Sequence, residues 1–270
     1  MGGVALALGR WLAGRWGRVV GAVAAVVGLV TAVVLVVGAA GGPSGSSPPS
    51  PASPPAATGP AALRLPPGVT LIAQLSHDVP RYAAPDPTKA VGVVPGSWLG
   101  APAALPVIDL RPGWLRVRLA QRPNFSTAWI RAADARLVSS AYRIVVSVRT
   151  RHLRLYENGK LELDAPAGVG TPDDPTPTGD FFLALFAPPP GLGYGDFVLV
   201  TSAHSTKITD WANSGDAIVG IHGPLGADAQ IGATGAAVSH GCVRLHLADL
   251  ARLRQVPAGT PISVVGSPVL

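Results

Sequence analysis

The chain has 270 residues, a length that allows one or two folded domains plus tails. Because 48% of the residues are hydrophobic and only 13% are charged, the chain as a whole is not a disordered, highly charged protein. Three of the six net positive charges lie at Arg10, Arg15 and Arg18, and the rest are spread over 230 residues without a basic run. This distribution argues against a nucleic-acid partner.

A long apolar segment follows the first basic residues. Residues 19–40 carry no charge, and as a helix they reach about 33 Å, enough to cross the hydrocarbon core of a bilayer. We interpret 1–18 as a basic cytoplasmic segment and 19–40 as a transmembrane signal-anchor, which places the remaining chain outside the cytoplasm. The alternative is a cleaved signal peptide and a secreted protein, with small residues at 38–40 near the cleavage point.

The next segment, 41–62, is rich in proline and serine. It holds seven prolines and neither a charge nor an aromatic residue, so it is typical of an extended polyproline II linker. Such a linker lifts the folded part of the chain away from the bilayer.

Residues 63–138 are predicted to form a small β-barrel. Short apolar runs broken by proline and glycine indicate five or six strands, and 114–119 alternates in strand fashion. The stretch 113–137 resembles the bacterial SH3-like domain. Its tryptophans, Trp98, Trp114 and Trp129, either line a binding groove or fill the small core.

Residues 139–270 are predicted to form a second domain that is mainly β. Asn158–Gly159 is a hairpin signal between two apolar runs, and 247–255 is the one segment with a helical period. The expected fold is therefore a small β-barrel followed by a β-rich domain with one short C-terminal helix. Further strands are predicted at 142–148, 152–156, 161–163, 181–186, 197–201, 217–221 and 261–265.

The chemistry concentrates around the one cysteine. Cys242 lies in the stretch Ser239–Arg244, and sixteen residues lie between His222 and Ser239. A single cysteine excludes a disulfide framework, and a lone thiol outside the cytoplasm needs a reason such as catalysis. A cysteine nucleophile requires a histidine that ionises the thiol or takes its proton, and glycines beside it allow close backbone approach.

Other interpretations of these residues stay open. Cys242 is alternatively an inert buried thiol, and His222 a satisfied core histidine. A zinc site formed by His222, His240, Cys242 and His246 is a further possibility. His240 has either a supporting or an acid–base role, while His204 and His246 are expected to be structural. Tyr194, in the proline- and glycine-rich loop 188–195, belongs either to a lid or to a plain surface turn.

The motif resembles the catalytic domain of the L,D-transpeptidase family (YkuD-type). This family combines an isolated histidine with a Ser/Thr-His-Gly-Cys sequence at the spacing seen between His222 and 239–242. The segments 176–181 and 201–205 resemble two further family signals, and the likeness covers about 141–266.

The resemblance implies roles for individual residues. Cys242 is implied to be the nucleophile and His222 the base, with the carbonyl of Gly223 holding the second nitrogen of His222. The remaining implied site residues shape the pocket, supply backbone N–H groups or contact substrate: Ser239, His240, Gly241, Arg244 and Tyr194. From the histidine beside it, we expect the thiol to be partly ionised near neutral pH.

The function implied is cross-linking of peptidoglycan stem peptides through a Cys242 thioester. Acyl transfer by a thiol and an imidazole needs no metal or organic cofactor, and nothing implies an obligate protein partner. The expected location is the cell membrane, with the catalytic domain on the cell-wall side. Two rival functions are a hydrolase or amidase, in which water resolves the thioester, and a wall-binding protein with a degenerate catalytic domain.

Overall fold

The structure, a computed structural model, describes residues 66–266. The predicted cytoplasmic segment, signal-anchor and linker therefore lie outside the described residues. Between residues 66 and 266, no helix is both long enough and apolar enough to cross a membrane.

The first part of the described chain is an antiparallel sheet of seven strands, in the order β3-β2-β8-β7-β6-β1-β9, with a separate two-stranded ribbon of β4 and β5. A 3₁₀ turn at Ala132–Asp134 joins β8 to β9. The strands are β1 Thr70–Gln74, β2 Val79–Tyr82, β3 Ala90–Val94, β4 Ser97–Trp98, β5 Ala101–Pro102, β6 Ala104–Arg111, β7 Trp114–Arg118, β8 Thr127–Arg131 and β9 Arg136–Ser140.

Two of the three tryptophans form an aromatic cluster of their own in this sheet. Trp114 and Trp129 are buried together with Tyr82, while Trp98 is half-buried against the main core. Trp114 and Trp129 are therefore buried, as the core interpretation expects, but on the face of the strands opposite to the main core.

The second part is a ten-stranded sheet in the order β12-β11-β10-β19-β14-β15-β16-β18-β13-β17. Its strands are β10 Tyr142–Ser147, β11 His152–Glu157, β12 Lys160–Pro166, β13 Gly168–Gly170, β14 Gly179–Ala187, β15 Val198–His204, β16 Ile218–His222, β17 Ala236–Ser239, β18 Val243–Arg244 and β19 Pro261–Val265. Asn158 and Gly159 both have positive φ at the β11–β12 turn, which confirms the predicted hairpin.

Two short helices accompany this sheet. α2, Leu247–Arg252, continues as a 3₁₀ turn at Leu253–Gln255 and confirms the predicted C-terminal helix. α1, Asp228–Ile231, is a single turn that the sequence analysis did not predict. The mainly β class of the described region is therefore as expected.

Strand β14 belongs to both cores. Phe181 and Leu183 point into the core of the second sheet, whereas Phe182 and Ala184 pack in the core of the first. Because strand side chains alternate between faces, an uninterrupted apolar strand is stable only with both faces covered. The two sheets thus share this strand as a common wall.

Candidate active site

Two strands bring the predicted nucleophile and base together. β16 and β18 pair in parallel, with Ile221 opposite Val243 and His222 opposite Arg244. Val219 and Ile221 are buried in the core, so this strand is firmly packed up to the residue that carries the imidazole. Cys242 immediately precedes β18, and its Sγ accepts the backbone N–H of Gly220 at 3.4 Å.

The His222 ring is held in one tautomer. Its side chain is 3% exposed, and its Nδ1 donates to the carbonyl oxygen of Gly223 at 2.8 Å. A carbonyl only accepts hydrogen bonds, so Nδ1 carries the proton and Nε2 keeps its lone pair. The ring of Tyr194 lies 4.6 Å from the His222 ring, centroid to centroid. His222 is thus oriented as a base rather than merely buried.

Burial determines the protonation of both groups. It lowers the pKa of His222 to about 4, with the charge of Arg244 acting in the same direction and the Gly223 carbonyl opposing it. Burial also raises the pKa of the Cys242 thiol, which the Gly220 N–H and the Arg244 charge partly offset. Because desolvation disfavours both charged forms, the folded site favours a neutral thiol and a neutral imidazole. This differs from the partly ionised thiol that we expected from the sequence.

A tight turn holds the nucleophile. Ser239 Oγ donates to the Cys242 carbonyl at 2.6 Å and accepts the N–H of Gly241 at 3.1 Å. Gly241 has a φ of 115°, a conformation that side-chain-bearing residues rarely adopt. Of the two predicted backbone donors, Gly241 N–H is therefore engaged with Ser239.

Thr176 ties this turn to the neighbouring strand. Its buried Oγ1 donates to the Gly241 carbonyl at 2.9 Å and accepts the Gly170 N–H at 2.9 Å. The sequence analysis included Thr176 only as part of a motif and assigned it no role. Its hydroxyl is a positioning group for the cysteine turn.

Gly223 allows the loop carrying Tyr194 to reach the site. A Cβ at Gly223 would lie 2.6 Å from the Gly193 carbonyl oxygen and 2.7 Å from the Tyr194 carbonyl carbon. The backbones meet directly, and Gly223 N–H donates to the Tyr194 carbonyl at 2.7 Å. Burial raises the pKa of the half-buried Tyr194, and negative charge on Cys242 adds to this effect. The ring of Tyr194 therefore packs against the imidazole of His222.

Arg244 supplies positive charge next to the reacting pair. Its charge lowers the pKa of His222, Cys242 and Tyr194 alike. Its Nε is buried without a hydrogen-bond partner in the structure.

His240 lies on the other side of the cysteine turn. Its side chain is 60% exposed, its Nε2 is 3.9 Å from Asp174 Oδ2, and its ring stacks obliquely on Trp211 at 5.1 Å. Asp174 and Trp211 therefore lie next to the cysteine turn, and the sequence analysis assigned a role to neither. Trp211 falls in a polar loop without periodicity, and Asp174 is one of two adjacent aspartates, so neither carried a distinguishing signal.

The remaining predicted histidines have structural partners. Buried His204 places Nδ1 2.7 Å from Asp216 Oδ2. His246 contacts Asp228 Oδ1 at 2.8 Å and the Gly232 carbonyl at 3.0 Å, and the latter contact is the main reason its pKa is raised. Both agree with the structural roles expected from the sequence.

A cavity of about 890 Å³ lies behind the cysteine turn. Its lining includes Thr176, Gly170 and Phe125, so loops of both sheets contribute to it. Neither Cys242 nor His222 is among its lining residues.

A half-buried cysteine, an oriented imidazole and a nearby cation lie together at this site. Residues 141–264 match the family model described as the L,D-transpeptidase catalytic domain, YkuD. This part of the chain therefore resembles an L,D-transpeptidase catalytic domain.

Relatives share the same region. A putative L,D-transpeptidase YkuD of Bacillus licheniformis is 35% identical over 124 residues, and one of Bacillus subtilis is 32% identical over 124 residues. Each match covers 46% of this chain and 65% of the relative, just under two thirds of the relative's length.

Parts of the chain are also similar to solved structures of L,D-transpeptidases. An L,D-transpeptidase from Mycobacterium smegmatis is 17% identical, with 60% of this chain and 82% of that chain covered and a TM-score of 0.36. The catalytic domain of an E. faecium L,D-transpeptidase is 26% identical, with 46% and 96% covered and a TM-score of 0.33.

Proposed function

We propose that this protein is an exported, membrane-tethered L,D-transpeptidase that cross-links peptidoglycan stem peptides through a Cys242 thioester. The observation that carries the proposal is the pairing of β16 with β18. In this pairing, Cys242 Sγ accepts the N–H of Gly220 on β16. The same strand ends at His222, whose imidazole is oriented by the carbonyl of Gly223.

The first half-reaction transfers an acyl group to the thiol. His222 Nε2 takes the proton of Cys242 as the sulfur attacks the carbonyl between the third stem residue and its terminal D-alanine. Because both groups are neutral at rest, proton transfer accompanies the attack rather than preceding it. The imidazolium then gives the proton to the departing D-alanine amine, and the acyl group stays on sulfur as a thioester.

Charge on the attacked carbonyl oxygen requires nearby donors. With Gly241 N–H engaged by Ser239, the Cys242 N–H is the backbone donor that we assign to this oxygen. The guanidinium of Arg244, whose charge acts on both His222 and Cys242, suits a substrate carboxylate.

The test uses the full-length protein in detergent with a tetrapeptide-stem muropeptide, read by mass spectrometry. We expect D-alanine release and a cross-linked dimer, and Cys242→Ala should abolish both while melting at the wild-type temperature. A trimmed stem without dimer would identify a hydrolase instead. Turnover by the alanine variant would overturn the nucleophile assignment.

Two parts of the proposal concern the rest of the chain. We assign 19–40 as the membrane anchor and 63–138 as an SH3-like domain, supported by the sequence patterns. Full-length protein should stay with membranes after a high-salt wash, whereas a version beginning at residue 41 should be soluble. Recovery of a secreted form beginning near residue 41 would show that the apolar segment is a cleaved signal.

A further inference from the structure

An exposed aromatic surface lies beside the cysteine turn and is not used by the acylation chemistry above. Trp211 is 38% exposed and packs on His240, which is two residues from the nucleophile. The carboxylate of Asp174 reaches the same imidazole, 3.9 Å from its Nε2. Two ring systems and a carboxylate thus form one contiguous surface.

The loop that presents Trp211 is fixed at both ends by the first sheet. Arg122 donates to the Ser205 carbonyl at 2.9 Å and to the Ile208 carbonyl at 3.1 Å, and its Nε lies 2.7 Å from Asp216 Oδ1. Within the loop, Trp211 N–H donates to the Asp216 carbonyl at 2.9 Å. The indole is therefore held in place before any ligand arrives, which lowers the entropic cost of binding.

The chemistry of this surface suits an ammonium group. Aromatic faces attract cations through their quadrupole, and a carboxylate at the edge adds an ionic contact. The neighbouring charges are mixed, with Asp173 and Asp210 acidic and Lys207 basic. A transpeptidase needs one substrate of this kind, the acyl acceptor, whose amine is an ammonium at neutral pH.

We propose that Asp174 and Trp211 bind the ammonium of the acyl acceptor beside the Cys242 thioester. This inference rests on the proposed function and assigns the second substrate to a place on the molecule. It also explains why an exposed tryptophan lies against a histidine of the cysteine turn.

In the transfer step, the acceptor amine displaces the Cys242 thiol from the acyl group. The bound ammonium gives one proton to water, and the resulting amine attacks the thioester carbonyl. The new carbon–nitrogen bond forms, the carbon–sulfur bond breaks, and the second proton passes through His222 to the Cys242 sulfur. The products are the amide cross-link, the free thiol and one proton in solution.

The experiment starts from the preformed acyl-enzyme of the full-length protein, made with a donor tetrapeptide and confirmed by intact mass. The acceptor probe is a tetrapeptide stem with a free side-chain amine on its third residue. The measured quantity is the ratio of amide product to hydrolysed donor. We expect Asp174→Asn and Trp211→Leu each to lower this ratio about tenfold.

Asp173→Asn is the matched control, since it removes the same charge one residue away, and it should keep the ratio within about twofold. If Asp174→Asn and Trp211→Leu transfer as well as wild type, the site is wrong while the transpeptidase function stands. If wild-type acyl-enzyme only hydrolyses with this acceptor, both the function and the site are overturned. Equal losses in the Asp173 and Asp174 variants would also overturn the site.

A non-reactive probe gives an independent readout. The same acceptor with a trimethylated amine keeps the positive charge but cannot attack a carbonyl. It should inhibit amide formation by wild type without slowing hydrolysis, and Trp211→Leu should relieve the inhibition. Equal inhibition of both proteins would contradict a role for the indole.

Discussion

At the scale of single residues, the depressed pKa of His222 sets the pH dependence of acylation. The imidazole is a base only when neutral, and burial lowers its pKa to about 4. We therefore expect D-alanine release to stay level from about pH 8 to pH 5 and to fall only near pH 4, rather than near the ordinary value of about 6.5. Acylation rates over a pH series test this expectation, and an acid limb centred near 6.5 would contradict it.

Replacing Arg244 should shift the acid limb of this pH profile in a defined direction. Its positive charge lowers the pKa of His222, so Arg244→Gln should move the acid limb to higher pH. The same pH series on this variant checks the direction. A limb that stays in place or moves to lower pH would mean that the guanidinium does not act on the imidazole.

Thr176 is a second residue whose effect can be isolated. Thr176→Val keeps the shape of the side chain but removes the hydroxyl that joins Gly241 to Gly170. We expect kcat for D-alanine release to fall about tenfold with little change in KM, because the cysteine turn rather than substrate binding is disturbed. Thr176→Ser, which keeps the hydroxyl, should restore most of the activity. If serine is as poor as valine, the hydroxyl is not the positioning group.

At the scale of elements, the loop between β7 and β8 acts on the loop between β15 and β16. Arg122 and Asn124 hold backbone groups from His204 to Ile208 together with the Asp216 carboxylate. In Arg122→Ala, local opening of this loop no longer has to break these bonds. The backbone amides of residues 205–216 should therefore exchange hydrogen with the solvent about tenfold faster. Hydrogen exchange followed by mass spectrometry measures this rate.

Arg116→Ala is the control for that prediction. Arg116 lies on β7 and bonds only within its own sheet, to Thr127 Oγ1. It should leave exchange in 205–216 at the wild-type rate. Faster exchange in both variants would indicate general loosening of the first sheet rather than loss of a specific clamp.

The sequence predicted the long strands of both sheets well. Runs such as Ile144–Val146 and Phe181–Leu183 are buried on strands at the expected positions, because their β-branched or aromatic side chains fill a core. The strands β2, β4, β5, β9, β13, β17 and β18 were missed. They contain two to five residues, and their place depends on pairing with distant strands, which a local pattern does not encode.

At the scale of the whole molecule, the residues around the candidate site also fall into those that the sequence predicted and those that it did not. Cys242, His222 and the glycines at 223 and 241 were predictable, because acyl transfer demands a thiol, a base and close backbone approach. Trp211 and Asp174 were not, since they meet at His240 only through tertiary contacts between separate loops. The ionisation of the thiol was also mispredicted, because burial is a property of the folded site.

Buried histidines should also make the stability of the whole protein depend on pH. Burial lowers the pKa of both His222 and His204, so the folded state binds fewer protons than the unfolded state below about pH 6.5. The stabilising effect is fully present above the unfolded pKa and is lost as the pH falls toward the folded pKa. His246 acts in the opposite direction, but it is more exposed and contributes less.

The variant His222→Gln shows how much of the pH dependence of stability comes from His222. Between pH 7 and pH 4.5, wild type should lose about 2 kcal/mol more free energy of unfolding than the variant, because the variant lacks the group with a folded pKa of about 4. Urea denaturation at both pH values measures the difference, and His204 is present in both proteins and cancels. If wild type and variant lose equal free energy on acidification, the imidazole of His222 is not desolvated in the folded protein.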